Sequence, residues 1–198
     1  MGFARMGGMI VLASQSPRRA ELMRNAGIPF RIRAANIPEI LLPDETPEAY
    51  VQRLARQKAL TVHAMCSPDD FVLGADTTVV VAGRVLEKPT SEEDAAEMLR
   101  ALSGREHLVM TGVCLVGRNG PEVFEDVQVE VTSVRFAALS EEEIREYVAT
   151  GEPMDKAGAY AIQGIASRWI AGLSGCYFNV VGLPVPRVYR MLHRHGAL

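Results

Sequence analysis

Two long strand-forming runs, 108–116 and 123–136, lie on either side of the dipeptide Asn119-Gly120. Asn-Gly is the dipeptide most typical of the tight turn between two antiparallel strands. The rest of the chain alternates short apolar runs with capped helical stretches. Because an antiparallel hairpin excludes a purely parallel sheet, the sequence predicts an α/β protein with a mixed, bent central sheet flanked by helices. We expect this fold to form two lobes with a cleft.

Capping residues and short apolar runs place the other elements. Four residues stand at predicted N-caps: Ser16, Thr46, Ser91 and Ser140. The last two have an acidic residue three positions later, which predicts a capping box at each. The predicted helices cover about 17–27, 47–65, 92–104, 141–149 and 184–193, and the other predicted strands cover about 9–13, 30–33, 71–81 and 85–86.

The long helix predicted at about 47–65 carries one apolar stripe at helical spacing. Its members are Val51, Leu54, Ala55, Val62 and Met65. Lys58 is assigned to the polar side of the same helix. We therefore expect the stripe to pack on the core without Lys58.

The composition is that of an ordinary globular protein, with 198 residues of which 48% are hydrophobic and 23% charged. The net charge of −3 provides no global positive field. We therefore expect neither a nucleic-acid polymer nor a membrane as a partner, and no apolar run approaches the roughly 20 residues of a membrane span. Residues 1–8 are interpreted as a non-structural extension and residues 9–198 as a single domain.

The three cysteines, Cys66, Cys114 and Cys176, are odd in number and far apart. This spacing provides neither a disulfide framework nor a zinc-ligand pair. We expect reduced thiols in a reducing compartment, which favours the cytoplasm.

A candidate anion site lies where the first strand gives way to the first helix. Its members are Ser14, Ser16, Arg18 and Arg19. A helix N-terminus carries partial positive charge and suits phosphate, and arginine donors match phosphate oxygens in pairs. Adjacent arginines are equally typical of solvated surface. The residues alone leave both interpretations open.

Asp76 interrupts an apolar strand between Leu73 and Val79. A carboxylate in such a place is costly unless it is paired, hydrogen-bonded or metal-bound. The pattern favours a metal-binding or general-base aspartate. A residue that reaches solvent at a bulge beside Gly74 is the alternative.

Two further segments carry polar residues among glycines and prolines. Lys88 follows a short strand, and the run 155–164 contains Asp155, Lys156 and Gln163 among small residues. Small residues let a ligand approach the backbone, and a glutamine amide can pair with the edge of a base. A surface lysine and a tight turn with a short strand are the alternatives.

Taken in order, these motifs resemble the Maf family of nucleoside triphosphate pyrophosphatases. The matching stretches are LASQSPRR (12–19), LARQKA (54–59), LGADTT (73–78), LEKP (86–89), LSG (102–104), DKAGAYAIQG (155–164) and NVVGLP (179–184). The resemblance spans nearly the whole chain. One departure is Gln15, where the family usually has a small residue.

The resemblance implies hydrolysis of a nucleoside triphosphate between its α and β phosphates, which gives the monophosphate and pyrophosphate. It is closest to the branch that acts on dTTP and UTP, whose marks here are Arg18, Thr77 and Gln163. Modified pyrimidine nucleotides are included in this expectation. The family's fold, similar to that of inosine triphosphatases, agrees with a mixed sheet and a substrate cleft.

The resemblance also implies roles for individual residues. Substrate binding is assigned to Ser14, Ser16, Arg18, Arg19, Lys58, Thr77, Lys88, Asp155, Lys156 and Gln163. Glu39 and Asp76 are expected to hold a divalent cation, magnesium first, with manganese or cobalt as alternatives. Asp76 is also the expected base for the attacking water.

Other functions stay open at this point. The family is associated with inhibition of septum formation, so a nucleotide-sensing regulator of cell division is one alternative. The same chemistry on another nucleotide, such as 7-methyl-GTP, is another. A homodimer is expected from the family likeness.

Overall fold

The computed structural model describes residues 8–198, and the chain divides into two compact units. Among the described residues, the first comprises 8–76, Thr111–Glu130 and Gly182–Leu198, and the second comprises Thr77–Met110 and Val131–Val181. The extension predicted at residues 1–8 lies, apart from Gly8, outside the described residues. Within residues 8–198, every helix is too short or too polar to cross a membrane.

The strands and helices of the described residues form a mixed α/β fold. The strands are β1 (Ile10–Leu12), β2 (Arg31–Ile32), β3 (Phe71–Val81), β4 (Arg84–Leu86), β5 (Glu106–Asn119), β6 (Glu122–Phe136) and β7 (Ile170–Ser174). The helices are α1 (Pro17–Asn25), α2 (Pro47–His63), α3 (Glu92–Leu102), α4 (Glu141–Ala149), α5 (Tyr177–Val181) and α6 (Val185–Arg194).

The sheet has the strand order β2-β1-β3-β5-β6-β7, and β4 pairs with β3 outside this path. β1 is parallel to β2 and to β3, whereas β4 is antiparallel to β3 and β7 is antiparallel to β6. The predicted α/β class with a mixed sheet is therefore confirmed. The hairpin turn is also where expected, since Gly120 between β5 and β6 has a φ of 64° that suits glycine. The substrate cleft stays a prediction.

Side-chain caps start the predicted helices. At α1, α2, α3 and α4 the N-cap side chain accepts a hydrogen bond from the backbone N–H three residues on. The capping box is complete at Ser140. The box predicted at Ser91 is only half formed, because the carboxylate of Asp94 accepts from Thr90 instead.

Several elements are shorter in the structure than predicted, and β2 and α2 show this with consequences for burial. β2 covers only Arg31–Ile32, and both of its residues are exposed. α2 ends at His63, so Met65 lies beyond the helix with 52% of its surface exposed. Placing Met65 in the apolar stripe was therefore wrong, because the chain leaves helical geometry before the stripe reaches it.

In the first unit, α2 lies directly on β3 and β5 at two glycines. A Cβ atom added at Gly74 would lie 2.1 Å from the carbonyl oxygen of Ala55, and one at Gly112 would lie 2.2 Å from that of Val51. The buried face of α2 includes Val51, Leu54, Ala55 and Val62. This close approach brings the side chains of α2 to the middle of β3.

Lys58 belongs to the buried face of α2, and only 7% of its surface is exposed. The prediction that it lies on the polar side was wrong. Val51, Ala55, Lys58 and Val62 are four, three and four residues apart, so they share one side of the helix. The helical spacing therefore contained the signal, and the charge of the residue hid it.

In the second unit, α3 packs against α4 and against the 3-10 turns at Glu152–Asp155 and Ala157–Ala159. Trp169 is buried, and its Nε1 donates to Glu143 Oε1 at 3.0 Å. Trp169 therefore belongs to the core of this unit.

We expect Gly74→Ala to lower the free energy of unfolding by about 1–3 kcal/mol, because a methyl group there meets helix backbone that cannot move aside. Urea unfolding would measure the loss. Gly172→Ala is the matched control in another strand, since its Cβ would meet only the flexible end of Arg135 at 3.2 Å. Equal stability of the two variants would contradict the close approach of α2.

Candidate active site

The start of α1 is organised by two serine hydroxyls. Ser16 is the N-cap, and its Oγ accepts from the backbone N–H of Arg19 at 3.5 Å. Ser14 is buried at the end of β1, and its Oγ accepts from the backbone N–H of Ser16 at 3.2 Å. Arg18 lies in the first turn of the helix and is half-buried. The predicted anion site is therefore a built strand-to-helix junction.

Arg19 ties this junction to distant parts of the first unit. Its Nε donates to the carbonyl oxygen of Gly182 at 2.8 Å, and its Nη1 donates to that of Ala75 at 2.9 Å. Nη1 also lies 3.2 Å from Ser14 Oγ, to which it donates. Arg19 was predicted to grip phosphate. The structure shows that much of its hydrogen bonding holds the protein together beside Asp76.

Lys58 bridges two carboxylates. Its Nζ lies 2.6 Å from Asp76 Oδ1 and 2.6 Å from Glu39 Oε1. Lys58 and Asp76 are both buried, whereas the Glu39 side chain is 44% exposed. The structure thus brings together three residues that lie far apart in the sequence: one from α2, one from β3 and one from the loop before α2.

The charges around Asp76 set its proton affinity. Burial raises the pKa of the Asp76 carboxyl, while Lys58 and then Arg19 lower it, and the negative charge of Glu39 raises it. Burial also lowers the pKa of the Arg19 guanidinium, against the carboxylates of Asp76 and Glu39. The net rise at Asp76 is what a carboxylate needs to accept a proton more readily than one in water.

The donors at this place suit a hard divalent cation. The position between Glu39 and Asp76 already holds positive charge, that of the Lys58 ammonium. Magnesium takes one or two carboxylates and completes its shell with water and substrate phosphate. Among residues 8–198, no group of three or more His, Cys, Asp and Glu side chains is arranged to hold an ion. The divalent cation stays a prediction.

In the second unit, the 155–164 motif is held against the segment of Lys88. The backbone N–H of Gly158 donates to the carbonyl oxygen of Glu87 at 3.1 Å, while Lys88 itself is exposed. A Cβ atom at Gly158 would lie 2.8 Å from the side chain of Val79. Gly158 has a φ of 69°, and Ala159 has a φ of 59° that is uncommon for a residue with a side chain. The motif is thus a tightly seated turn.

The predicted binding residues of this motif differ in their surroundings. Lys156 Nζ lies 2.5 Å from Asp155 Oδ1 and donates to the carbonyl oxygen of Glu152 at 2.5 Å. Gln163 is exposed at the far end of the motif. Thr77, next to Asp76 along β3, is half-buried. Asp155 and Lys156 are therefore paired with each other, and Gln163 presents its amide to the surroundings.

Glu152 was missed by the sequence analysis. Its carboxylate accepts from the hydroxyl of Tyr147 at 2.9 Å and from the backbone N–H of Ile165 at 3.1 Å. It lies so close to Gly164 that an added Cβ there would meet its Oε1 at 2.1 Å. Glu152 thus braces the end of the motif next to Gln163. Its sequence neighbourhood, a glycine and a proline, indicated only a turn.

His107 is a second residue that the sequence did not single out for the site. It is buried, and its Nε2 lies 2.8 Å from the hydroxyl of Tyr160 inside the motif. Its Nδ1 has no hydrogen-bond partner within the described part of the chain. Burial lowers the pKa of His107 to about 4. A neutral imidazole therefore anchors the middle of the motif.

A comparison with known families shows which family the chain belongs to. The sequence profile of the family described as "Maf-like protein" matches residues 9–195. The chain belongs to the Maf family. The profile covers every residue that the sequence analysis assigned to the site.

Similar Maf proteins share about half of their residues with this chain. A protein of Koribacter versatilis named dTTP/UTP pyrophosphatase is 56% identical, over 98% of this chain and 97% of that protein. Proteins of the same name from Geobacillus sp. and Pelotomaculum thermopropionicum are 50% and 51% identical, each over 94% of this chain and over 98% and 96% of their own lengths. The solved Ham1 protein of Staphylococcus aureus is much less similar, with a TM-score of 0.44 and 16% identity over 65% of this chain and 72% of its own. A likeness that weak indicates nothing about activity.

We expect Lys58→Met to destabilise this Maf protein by about 3 kcal/mol, because it leaves the buried Asp76 carboxylate without its ammonium. Urea unfolding at neutral pH would measure the change. Lys88→Met is the control, since that lysine is exposed. If both variants were as stable as the wild type, the buried contact between Lys58 and Asp76 would contribute nothing to the free energy of unfolding.

The stability of the Maf fold should also depend on His107 in mild acid. Its pKa falls from 6.5 in the unfolded chain to about 4 in the folded protein. The unfolded chain therefore binds an extra proton between these values. The contribution of neutral His107 to the free energy of unfolding is complete above the pKa of the unfolded chain and is lost as the pH falls towards the pKa of the folded protein. The free energy of unfolding should therefore fall by roughly 2 kcal/mol between about pH 7 and about pH 5.

Urea unfolding at these two pH values checks the effect of His107. His107→Gln keeps a polar group near the Tyr160 hydroxyl but cannot titrate, so its stability should fall less on acidification. The same pH dependence in the variant and the wild type would assign the loss to other groups.

Proposed function

We propose that this protein hydrolyses dTTP and UTP, and related modified pyrimidine nucleotides, to the monophosphate and pyrophosphate. The observation that carries the proposal is the buried Asp76 held by Lys58 and flanked by Glu39 and Arg19. Relatives about half identical over nearly the whole chain are named dTTP/UTP pyrophosphatase, which supports the same activity.

Neutralising the substrate is the first task of such a site. A triphosphate carries about four negative charges at neutral pH, and an attacking water is repelled unless fixed positive charge opposes them. Arg18 and Arg19 at the start of α1, with Lys58 and Lys88, are the proposed cations. The hydroxyls of Ser14 and Ser16 both accept hydrogen bonds from Arg19 and so hold it in place. Because Arg19 also bonds to Ala75 and Gly182, it serves as a fixed charge more than a mobile clamp.

Asp76 is the proposed general base. Its carboxylate takes a proton from the water whose oxygen forms a bond to one phosphorus of the α–β anhydride. The bond from that phosphorus to the bridging oxygen breaks and the oxygen keeps the electron pair, so the products are the monophosphate and pyrophosphate and no covalent intermediate forms. Lys58 stays bonded to Asp76 Oδ1, which leaves Oδ2 of the carboxylate for the water. The raised pKa of Asp76 favours this transfer.

Glu39 and Asp76 are also proposed to hold a divalent cation, magnesium first, which supplies further charge neutralisation at the phosphates when bound. With or without it, Lys58 keeps the two carboxylates together in the protein. Manganese or cobalt would find the same oxygen donors.

Base selection is proposed to depend on Arg18, Thr77 and Gln163. An exposed amide offers both a donor and an acceptor, the pair of groups that the edge of uracil or thymine requires. Glu152 and His107 keep the motif of Gln163 in one conformation. Asp155 and Lys156, bonded to each other, are proposed to contact the rest of the nucleotide.

We further infer a homodimer that works in the cytoplasm. The family likeness supports the dimer. The cysteines Cys66, Cys114 and Cys176 are free, which suits a reducing compartment. Light scattering on a size-exclusion column would test the dimer directly.

The purified protein should release pyrophosphate, not orthophosphate, from UTP and dTTP in the presence of magnesium. A panel that includes 7-methyl-GTP and modified pyrimidine triphosphates would rank its substrates. No turnover of any nucleotide would refute the proposed function. Preference for 7-methyl-GTP would change the nucleobase that the site is proposed to select and would leave the proposed hydrolysis reaction unchanged.

Asp76→Asn should lower kcat by about 10²–10⁴-fold, because the amide cannot accept the proton. Nucleotide binding, measured by calorimetry, should change much less. Asp69→Asn is the control, since Asp69 is exposed. Full activity of the Asp76 variant would show that another group is the base.

A further inference from the structure

Glu39 lies in a segment, 33–46, that contains neither helix nor strand. The three residues after it are apolar and exposed: Ile40, Leu41 and Leu42. Since Glu39 belongs to no helix or strand, tertiary contacts must keep its carboxylate on Lys58. The residue that makes these contacts therefore influences the site without touching the substrate.

We propose that Arg53 is a positioning residue of the active site, which holds the loop of Glu39 so that the carboxylate stays on Lys58. The inference rests on the proposed function, because the position of Glu39 affects a rate only if the site hydrolyses nucleotides. Arg53 lies on α2, five residues before Lys58.

Arg53 binds the loop at two points. Its Nε donates to Glu45 Oε1 at 2.6 Å and its Nη2 donates to Glu45 Oε2 at 2.7 Å, a paired contact with one carboxylate. The same Nη2 donates to the carbonyl oxygen of Ile40 at 2.9 Å. Glu45 in turn accepts from the backbone N–H of Leu42 at 3.1 Å. One guanidinium thus fixes the loop directly after Glu39 and again near its end.

Tyr50 adds a contact one peptide earlier in the same loop. Its hydroxyl donates to the carbonyl oxygen of Glu39 at 3.4 Å, and its ring lies 5.6 Å from the Arg53 guanidinium carbon. One rigid helix therefore binds the Glu39 side chain through Lys58 and the neighbouring backbone through Tyr50 and Arg53. The carboxylate cannot turn away unless one of these bonds breaks.

The contact between Arg53 and Glu45 is partly shielded from solvent. The Arg53 side chain is 24% exposed and that of Glu45 is 9% exposed. Arg53 also holds the pKa of the Glu45 carboxyl below its usual value. A planar guanidinium is needed for this geometry, because an ammonium cannot donate along two parallel lines and to a carbonyl as well.

The same helix offers a matched control. Arg56 also makes a paired contact with one carboxylate, that of Glu125, and its Nη2 donates to Glu125 Oε1 at 3.1 Å. Its side chain is 51% exposed, and its partner belongs to β6 rather than to the loop. Removing Arg56 therefore deletes a similar ion pair from α2 and leaves the Glu39 loop in place.

The test is a double-mutant cycle on UTP hydrolysis with Arg53→Ala, Glu39→Gln and the two combined. We expect Arg53→Ala to lower kcat/KM by about 10–100-fold, as removal of a supporting hydrogen-bond partner does. In the Glu39→Gln background the same change should have little further effect, because Arg53 acts through Glu39. Arg56→Ala should leave kcat/KM unchanged in both backgrounds. If the losses in kcat/KM from Arg53→Ala and Glu39→Gln multiplied in the double variant, the two residues would act independently and the proposal would be overturned.

Hydrogen exchange provides a readout that does not depend on activity. In protein without nucleotide or metal, the amides of residues 39–45 should exchange faster in Arg53→Ala than in the wild type. In Arg56→Ala, these amides should exchange at the wild-type rate. Glu45→Gln weakens the same contact from the loop and should give a smaller change of the same sign, so it replaces Arg53→Ala if that variant unfolds.

The two proposals fail in different ways. A wild type that hydrolyses no nucleotide refutes the proposed function, and the exchange experiment then still tests whether Arg53 holds the loop. Unchanged exchange in both Arg53→Ala and Glu45→Gln would overturn the positioning role, even in an active enzyme.

Discussion

The buried ammonium of Lys58 is the charge on which the candidate site depends. Its Nζ lies 2.6 Å from carboxylate oxygens of both Asp76 and Glu39. A buried lysine or aspartate alone would lose several kcal/mol of hydration free energy, so each is tolerated only because the other is present. The pair in turn fixes where α2 must lie on β3. Gly74 and Gly112 allow that approach, since any side chain at either position would meet helix backbone.

The rest of the first unit supports this bridge from two sides. Arg19 reaches the backbone of β3 next to Asp76 and also holds Gly182, which is 163 residues away in the sequence. On the other side, Arg53 and Tyr50 fix the loop that carries Glu39. The chemistry proposed for Asp76 therefore also depends on Arg53 and Tyr50, which are not among the proposed substrate contacts.

In the second unit, contacts from neighbouring side chains hold the 155–164 motif. This motif contains Ala159 at positive φ, a conformation that a residue with a side chain retains only when the surroundings enforce it. His107 anchors the motif at Tyr160, and Glu152 closes its end next to Gln163. These contacts order the turn that carries Gln163, whose exposed amide is the proposed contact to the base.

The sequence by itself determined the mixed α/β class, the hairpin at Gly120, the capped helix starts and the order of the Maf motifs. These features follow from local chemistry: turn dipeptides, caps and periodicity act within a few residues. Only the tertiary structure decided that Lys58 is buried, that much of Arg19's hydrogen bonding is to the protein, and that Glu152 and His107 hold the motif of Gln163. Each of these depends on hydrogen bonds between residues remote in the chain, and the free energy of a buried charge is set by such partners rather than by its sequence neighbours.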